Sequence, residues 1–235
     1  MGMQLQNGAN EATQAVAMAK ALEPHISAAV ETMETERRLP PPLVQAMKEA
    51  GIFRMAVARA YGGLEFAPAT QVRVIEELSR LDGSVGWCAM IGGAAGYLGG
   101  FLAPAVARRL FGHIDGIAAG QVAPMGRADV VDGGYRVTGR WRFASGCQHA
   151  TVLMGGCMVH DQGESRRLAD GQPEIRLMLM PVSACTIIDT WQTTGMRGTG
   201  SHDFTAQDVF VPTEESMSFF DPPQCSGPLY SLPHL

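Results

Sequence analysis

The 235-residue sequence predicts an α+β fold in which an all-helical domain comes first and a domain of β-strands follows. Apolar residues recur at a spacing of three and four through residues 1–115, as they do on one face of a helix. Beyond Gly116 the pattern changes to alternating or short apolar runs bounded by turn residues. Residues 214–235 are proline-rich and lack either period. We therefore expect a helical domain (1–115), a domain of β-strands (116–213) and a connector (214–235).

Composition and charge narrow the class of protein. The chain is 46% apolar and 17% charged, as an ordinary globular protein is, with a net charge of −5. No run of basic residues is longer than two arginines, so nucleic-acid binding is not expected. The five cysteines form no Cys-x-x-Cys pair, so neither a disulfide framework nor a metal site is predicted. Without the pattern of a secretory signal, a cytoplasmic protein with reduced thiols is the simplest interpretation.

The helical part begins with an amphipathic segment over residues 11–36, which Pro24 bends or briefly breaks. A short helix over residues 43–50 is expected between the pair Pro41-Pro42 and Gly51. A Tyr-Gly-Gly turn at 61–63 leads to a second amphipathic helix, which Asp82-Gly83 ends. The predicted apolar faces of the two amphipathic helices are Val16, Ala19, Leu22, Ile26 and Val30 in the first and Val72, Val74, Ile75, Leu78 and Leu81 in the second.

Residues 83–107 carry no charge and have the length of a membrane span. The spacing of Gly92, Gly96 and Gly100 is also typical of helices that pack closely. Seven glycines, Pro104 and the lack of a basic flank argue against a span. We favour a helix buried in a bundle, with a membrane span as the alternative, followed by a short helix over residues 105–111.

The β part contains five predicted strands, and Asp132-Gly133 is a hairpin signal between the pair Val130-Val131 and the segment GYRVTG (134–139). Residues 162–173 are a charged hairpin loop. The predicted strands lie around residues 117–123, 134–143, 151–159, 174–181 and 203–211.

Two segments carry possible chemistry, GGYRVTGRWRFASG (133–146) and TTGMRGTGSHDFTAQDVFVP (193–212). Trp141 and Phe143 are two residues apart, so on a strand they point the same way and form one aromatic platform. Ser145 continues that face where the strand ends, among small neighbours. Taken singly, each of these residues also fits a plain structural role, as a core aromatic or a turn hydroxyl.

Together with the Tyr-Gly-Gly turn, these segments resemble the acyl-CoA dehydrogenase superfamily. They are most similar to its flavin-dependent monooxygenase branch, the two-component (group D) oxygenases that take reduced flavin from a separate reductase. Where the dehydrogenases carry Lys-x-Trp-Ile-Thr, this chain has Arg140-Trp141-Arg142-Phe143 and then Ser145-Gly146. Trp87 lies where that branch places a tryptophan on its helical domain.

The resemblance implies a helical domain, a central β-barrel and a C-terminal four-helix bundle that completes the flavin site and the oligomer. This chain is expected to lack the bundle, as a fragment or a truncated product, and to hold at most half a site. The complete protein is expected to be a homo-oligomer, either a tetramer or a dimer. FMN or FAD is the implied cofactor, a flavin reductase the implied partner, and a small molecule the implied substrate.

The resemblance also implies roles for single residues. Trp141 would lie against the isoalloxazine with Phe143 close by, and the catalytic Ser145 would direct its hydroxyl toward the flavin N5. Trp87 would lie at the substrate or pocket edge. Two further groups are implied, namely backbone contacts to the flavin from Val122, Ala123 and Pro124, and a pocket edge, with phosphate contact as a second possibility, from Arg197, Thr199 and Ser201.

Three functions stay open from the sequence. A reduced-flavin monooxygenase is favoured, and the alternatives are an FAD-dependent acyl-CoA dehydrogenase and a truncated module without catalysis. The aromatic hydroxylases of the branch often place a histidine where this chain has Ala94 and Ala95. The sequence therefore does not favour phenol hydroxylation by a histidine base.

Overall fold

The computed structural model describes the backbone of residues 2–231 and the side chains of residues 10–231. Within these residues six α-helices come first and a mixed sheet of eight strands follows, which confirms the predicted order of helices and strands. The helices are α1 (Gly2–Lys20), α2 (Glu23–Glu36), α3 (Pro41–Glu49), α4 (Pro68–Leu81), α5 (Gly83–Ala95) and α6 (Pro104–Phe111). The strands are β1 (Ala118–Val131), β2 (Gly134–Trp141), β3 (Val152–Asp161), β4 (Glu164–Ser165), β5 (Ile175–Pro181), β6 (Thr186–Ile188), β7 (Asp203–Pro212) and β8 (Ser216–Met217).

The first amphipathic segment is divided into α1 and α2, as Pro24 predicts. Pro24 lies in the first turn of α2, where its missing N–H leaves no hydrogen bond unmade. The predicted face is wrong at Val30, which is exposed, whereas Ala29 and Met33 are buried. The stripe follows Ala29 and Met33 because that side of α2 faces a glycine bend, where Met33 lies against Gly198. Val72, predicted on the buried face of α4, is likewise exposed.

The uncharged segment forms the buried helix α5, as the sequence predicts, and a 3-10 turn that was not predicted follows it. Its glycines permit close packing. A Cβ on Gly86 would lie 2.0 Å from the Ser79 hydroxyl of α4, and one on Gly96 would lie 2.5 Å from Val57. No helix within residues 2–231 is long and apolar enough to cross a membrane.

The strands pair in the order β6-β7-β2-β1-β3-β5-β8, with β4 paired to β3. β1 is parallel to β3, and the other neighbours are antiparallel. The predicted hairpin joins β1 to β2 through Gly133, whose φ of +75° suits glycine. Strands β4, β6 and β8 were not predicted, because a run of two or three residues has no readable period.

Trp141 lies in the core of the sheet. It is fully buried, stacks on Phe204 with ring centroids 4.8 Å apart, and donates its indole N–H to the Gly156 carbonyl at 2.8 Å. Gly126 and Gly155 leave room for it, since a Cβ on either would lie within 2.5 Å of the indole ring. The last residue of β2 thus anchors the strand in the core.

The chain after β7 packs back onto both parts of the molecule. Strand β8 pairs with β5. Tyr230 is buried, stacks on Tyr97 with centroids 5.0 Å apart, and lies so close to Gly100 that a Cβ there would be 2.0 Å from its ring. The described part of the predicted connector is therefore anchored against the helices.

Candidate functional site

A cavity of about 580 Å³ opens where α5, the start of β1, the turn after β2 and the bend before β7 meet. Its walls are mostly aromatic and apolar, and its polar groups are hydroxyls, indole N–H groups and one amide. None of the described lining residues has an ionisable side chain. The lining residues are Trp87, Ile91, Gly120, Gln121, Phe143, Ser145, Trp191, Met196, Thr199 and Ser201.

The predicted platform of Trp141 and Phe143 is wrong, because only one of the two side chains reaches the cavity. Trp141 is buried in the sheet core and does not line the cavity, whereas Phe143 is 61% exposed and does. The physical reason is that β2 ends at Trp141 and Phe143 adopts a φ of +60°. The alternation of a strand therefore does not extend to Phe143, which meets Trp191 edge to face at a centroid distance of 6.3 Å.

A line of hydrogen-bonded side chains forms one wall of the cavity. The Trp87 indole N–H donates to the Ser145 Oγ at 2.9 Å, and the Ser145 Oγ lies 2.7 Å from the Ser201 Oγ. Ser201 in turn lies 2.6 Å from the Thr199 Oγ1, which donates to the Met196 carbonyl at 2.9 Å. Ser145, Ser201 and Thr199 are all buried, so water does not compete for these bonds. The structure brings four predicted site residues into one network.

Backbone bonds hold the two segments of this network together. The amide of Ala144 donates to the His202 carbonyl and the amide of Gly146 donates to the Thr199 carbonyl, both at 2.9 Å. The turn after β2 is thus tied to the bend before β7 on both sides of Ser145.

Arg197 holds the bend and does not line the cavity. Its Nε donates to the Glu34 carbonyl at 2.7 Å and its Nη1 donates to the Thr193 carbonyl at 2.8 Å. These bonds fit the predicted role in shaping the pocket edge. Gly198 in this bend lies against Ser84 and Met33 on the helices, where a Cβ would come within 3.1 Å of both side chains.

The β1 contribution to the cavity is displaced from the predicted one. Gly120 and Gln121 line it, whereas Val122, Ala123 and Pro124 do not. The register of β1 against β3 shifts between Gln121 and Pro124, so the strand bulges there and re-aims its residues. Sequence reasoning missed Ile91, Gly120, Gln121, Trp191 and Met196 as lining residues. Ile91 lies one helical turn after Trp87, a spacing that could have identified it.

The comparisons with known proteins identify the family and the fold. Residues 10–103 match the family model described as the acyl-CoA dehydrogenase N-terminal domain. An indole-3-acetate monooxygenase of Acinetobacter baumannii is 33% identical over 193 residues, which are 82% of this chain and 48% of that protein. The oxygenase subunit HsaA of a flavin-dependent monooxygenase from Mycobacterium tuberculosis is 33% identical over 201 residues, or 84% of this chain and 49% of that subunit.

Residues 10–103 belong to the family of the acyl-CoA dehydrogenase N-terminal domain. Among solved structures, XiaF from Streptomyces in complex with FADH2 and glycerol superposes with a TM-score of 0.83 at 30% identity. The superposition covers 93% of this chain and 54% of XiaF. The chain spans about half the length of the curated relatives it matches.

The superfamily pattern also explains the error over Trp141. In Lys-x-Trp-Ile-Thr the aromatic residue stands two positions before the hydroxyl. Counting back from Ser145 gives Phe143, while Trp141 takes the place of the lysine. The position of the hydroxyl residue therefore matches the pattern to this sequence better than the position of the tryptophan does.

The titratable groups close to the network are held neutral by burial. Burial lowers the pKa of His149, which lies behind Gly146 and against Phe53, to about 4. Burial also lowers the pKa of His202, whose Nδ1 accepts the amide protons of Thr190 and Trp191. Neither imidazole lines the cavity. The chemistry that this wall supplies is hydrogen bonding and aromatic contact without a charge.

Proposed function

We propose that this chain forms the flavin-binding wall of the oxygenase component of a two-component monooxygenase. In this proposal a separate reductase supplies reduced flavin, and a small molecule is hydroxylated. The observation that carries the proposal is the Ser145 hydroxyl, held between Trp87 and Ser201 beside the exposed ring of Phe143. Relatives that are named as monooxygenase oxygenase subunits support the same assignment.

The cavity suits a flavin on its own chemistry. Its volume of about 580 Å³ lies within the range of small-molecule sites. Phe143, Trp87 and Trp191 offer aromatic surface to a flat conjugated ring, and the buried Ser145 hydroxyl offers one directed polar contact. A bound reduced flavin would supply the activation of molecular oxygen. The roles left to this chain are to orient the ring, to hold a hydrogen bond at Ser145 Oγ and to exclude water.

FAD is the first flavin to test. XiaF is described with FADH2, and a resorcinol hydroxylase of Rhizobium that is 34% identical over 191 residues is named as FADH2-dependent. FMN is the alternative, since it occupies neighbouring structures of lower identity.

The substrate class that we propose is a small, uncharged aromatic molecule. Trp87 and Met196 expose apolar surface at the cavity, and the described lining offers no acid or base to a substrate. The aromatic hydroxylases of the branch often carry a histidine where this chain has Ala94 and Ala95, and neither alanine offers an acid or a base. Oxygen insertion would therefore proceed on this wall without proton abstraction by a histidine of the helical domain.

For the whole protein we propose a homo-oligomer, a tetramer or a dimer, and a division of this chain into residues 1–115, 116–213 and 214–235. Two large exposed apolar residues after the last strand, Phe219 and Phe220, support association. Light scattering of the purified whole protein tests the oligomer, and a monomer at micromolar concentration would contradict it.

Flavin binding and oxygen transfer test the function in two steps. Anaerobic titration with reduced FAD should quench tryptophan fluorescence, and Phe143→Leu should weaken binding. The matched control Phe210→Leu removes an exposed ring outside the cavity lining and should leave binding unchanged. With a flavin reductase, NADH and an indole or phenol, isotopically labelled molecular oxygen should enter the product as detected by mass spectrometry. Label that comes only from water would contradict the proposal.

A further inference from the structure

The hydrogen-bonded wall of the cavity has a defined direction because both of its ends are fixed. At one end the Trp87 indole N–H can only donate, and at the other the Met196 carbonyl can only accept. Three hydroxyls lie between them, those of Ser145, Ser201 and Thr199, at separations of 2.6–2.9 Å along the line. Each hydroxyl has a single proton to donate, so the direction at one end constrains all the others.

The direction follows step by step from the carbonyl end. Thr199 gives its proton to the Met196 carbonyl, so its Oγ1 accepts the proton of Ser201. Ser201 has then used its proton, so its Oγ accepts the proton of Ser145. Ser145 therefore donates to Ser201 and accepts from Trp87, and only a lone pair of its Oγ remains for a ligand.

The acceptor end is itself held in place. The Met196 carbonyl also accepts the Trp191 indole N–H at 2.9 Å and the Thr199 amide at 3.2 Å. Met196 adopts a left-handed backbone conformation with φ of +53°, which fixes the direction of this carbonyl. The bend thus presents a fixed acceptor to the hydroxyl of Thr199.

We propose that this line of hydroxyls makes the cavity selective for reduced over oxidised flavin, with Ser201 and Thr199 as positioning residues; the inference rests on the proposed function. A reduced isoalloxazine carries an N–H at N5, whereas an oxidised one carries a lone pair there. Because Ser145 can only accept a hydrogen bond, it matches the N5–H of a reduced flavin and opposes the N5 lone pair of an oxidised one. To donate to oxidised flavin, Ser145 must break its hydrogen bond to Ser201. The buried hydroxyl oxygens of Ser145 and Ser201 would then face each other without a proton between them, which is costly.

The experiment compares the dissociation constants of oxidised FAD and anaerobic reduced FAD for the chain and its variants. Wild type should bind reduced FAD more tightly. Ser201→Ala and Thr199→Val each free the Ser145 proton to face the cavity, so the ratio of the oxidised to the reduced constant should fall about tenfold, which corresponds to about 1.4 kcal/mol. Thr199→Ser keeps the hydroxyl and should keep the ratio. Thr193→Val removes a hydroxyl of the same bend that donates to the Gly195 carbonyl outside the line, and should also keep it.

The outcomes separate this inference from the proposed function. If both Ser201→Ala and Thr199→Val bind flavin and keep the wild-type ratio of the oxidised to the reduced dissociation constant, the inference is overturned and the proposed function stands. Equal wild-type affinity for the two flavin forms would have the same meaning. Binding of neither form by wild type would overturn both. Circular dichroism of each variant checks the fold, and the two variants alter different positions of the line, so the result does not depend on one substitution.

Discussion

Replacing Trp141 with phenylalanine should destabilise the protein and leave flavin binding nearly unchanged. Trp141 is fully buried, so the substitution removes a hydrogen bond to the Gly156 carbonyl and part of a ring that stacks on Phe204. An unpaired buried carbonyl costs about 1–3 kcal/mol. The space left by the smaller ring adds about 1 kcal/mol, since truncation to alanine costs about 3–5 kcal/mol. The expected loss in the free energy of unfolding is therefore about 2–4 kcal/mol.

Urea denaturation followed by circular dichroism measures this loss, and anaerobic titration with reduced FAD measures binding. The matched variant Phe143→Leu should show the opposite pattern, with little change in stability and weaker binding, because Phe143 is exposed at the cavity. A Trp141→Phe protein that is as stable as wild type but binds flavin tenfold less tightly would refute the assignment of Trp141 to the core.

Three further predictions concern packing and titration. Gly100→Ala should lower the free energy of unfolding by about 1–3 kcal/mol, because its Cβ would lie 2.0 Å from the Tyr230 ring. Thermal melts measure this loss, and Gly195→Ala, whose Cβ would meet nothing within 4 Å, is the control. His149 has a folded pKa of about 4 against an ordinary 6.5, so the unfolded chain binds the extra proton between these values. Stability should therefore fall as the pH drops from 6.5 to about 4, by roughly 2–3 kcal/mol near pH 4.5, and urea titrations of His149→Gln should lack this slope. Burial raises the pKa of Cys147 to about 12, so iodoacetamide should leave this thiol unmodified until the protein unfolds, and mass spectrometry of the native protein that shows rapid labelling there would contradict its burial.

The sequence was a good guide wherever a short-range pattern determines the structure. The helix after Pro41 and the β1–β2 hairpin at Gly133 depend on neighbours within a few residues, and both were predicted correctly. The error at Phe143 arose because the alternation of a strand was extended past Trp141, the residue at which the strand ends. A left-handed backbone at a residue such as Phe143 is uncommon and has no local signal in the sequence.

The hydroxyl network could be predicted only as a set of candidates, not as a connected line. Ser145 is 58 residues from Trp87 and 56 residues from Ser201 along the chain, so their contacts depend on how the helices meet the sheet. Even the correct candidates therefore gave no direction of donation. That direction required the Met196 carbonyl, which belongs to the backbone and leaves no trace in residue identity.

The two aromatic residues at the end of β2 have complementary tasks. Trp141 fixes the end of the strand in the core, so the turn that follows starts from a rigid point. That turn is then tied to the bend by the amides of Ala144 and Gly146, on either side of Ser145. The backbone bonds on either side of Ser145 hold its hydroxyl 2.7 Å from that of Ser201, while the buried tryptophan stabilises the end of the strand without touching the cavity. Phe143 lies beyond the end of the strand, where a φ of +60° leaves its ring exposed at the cavity while Trp141 stays in the core.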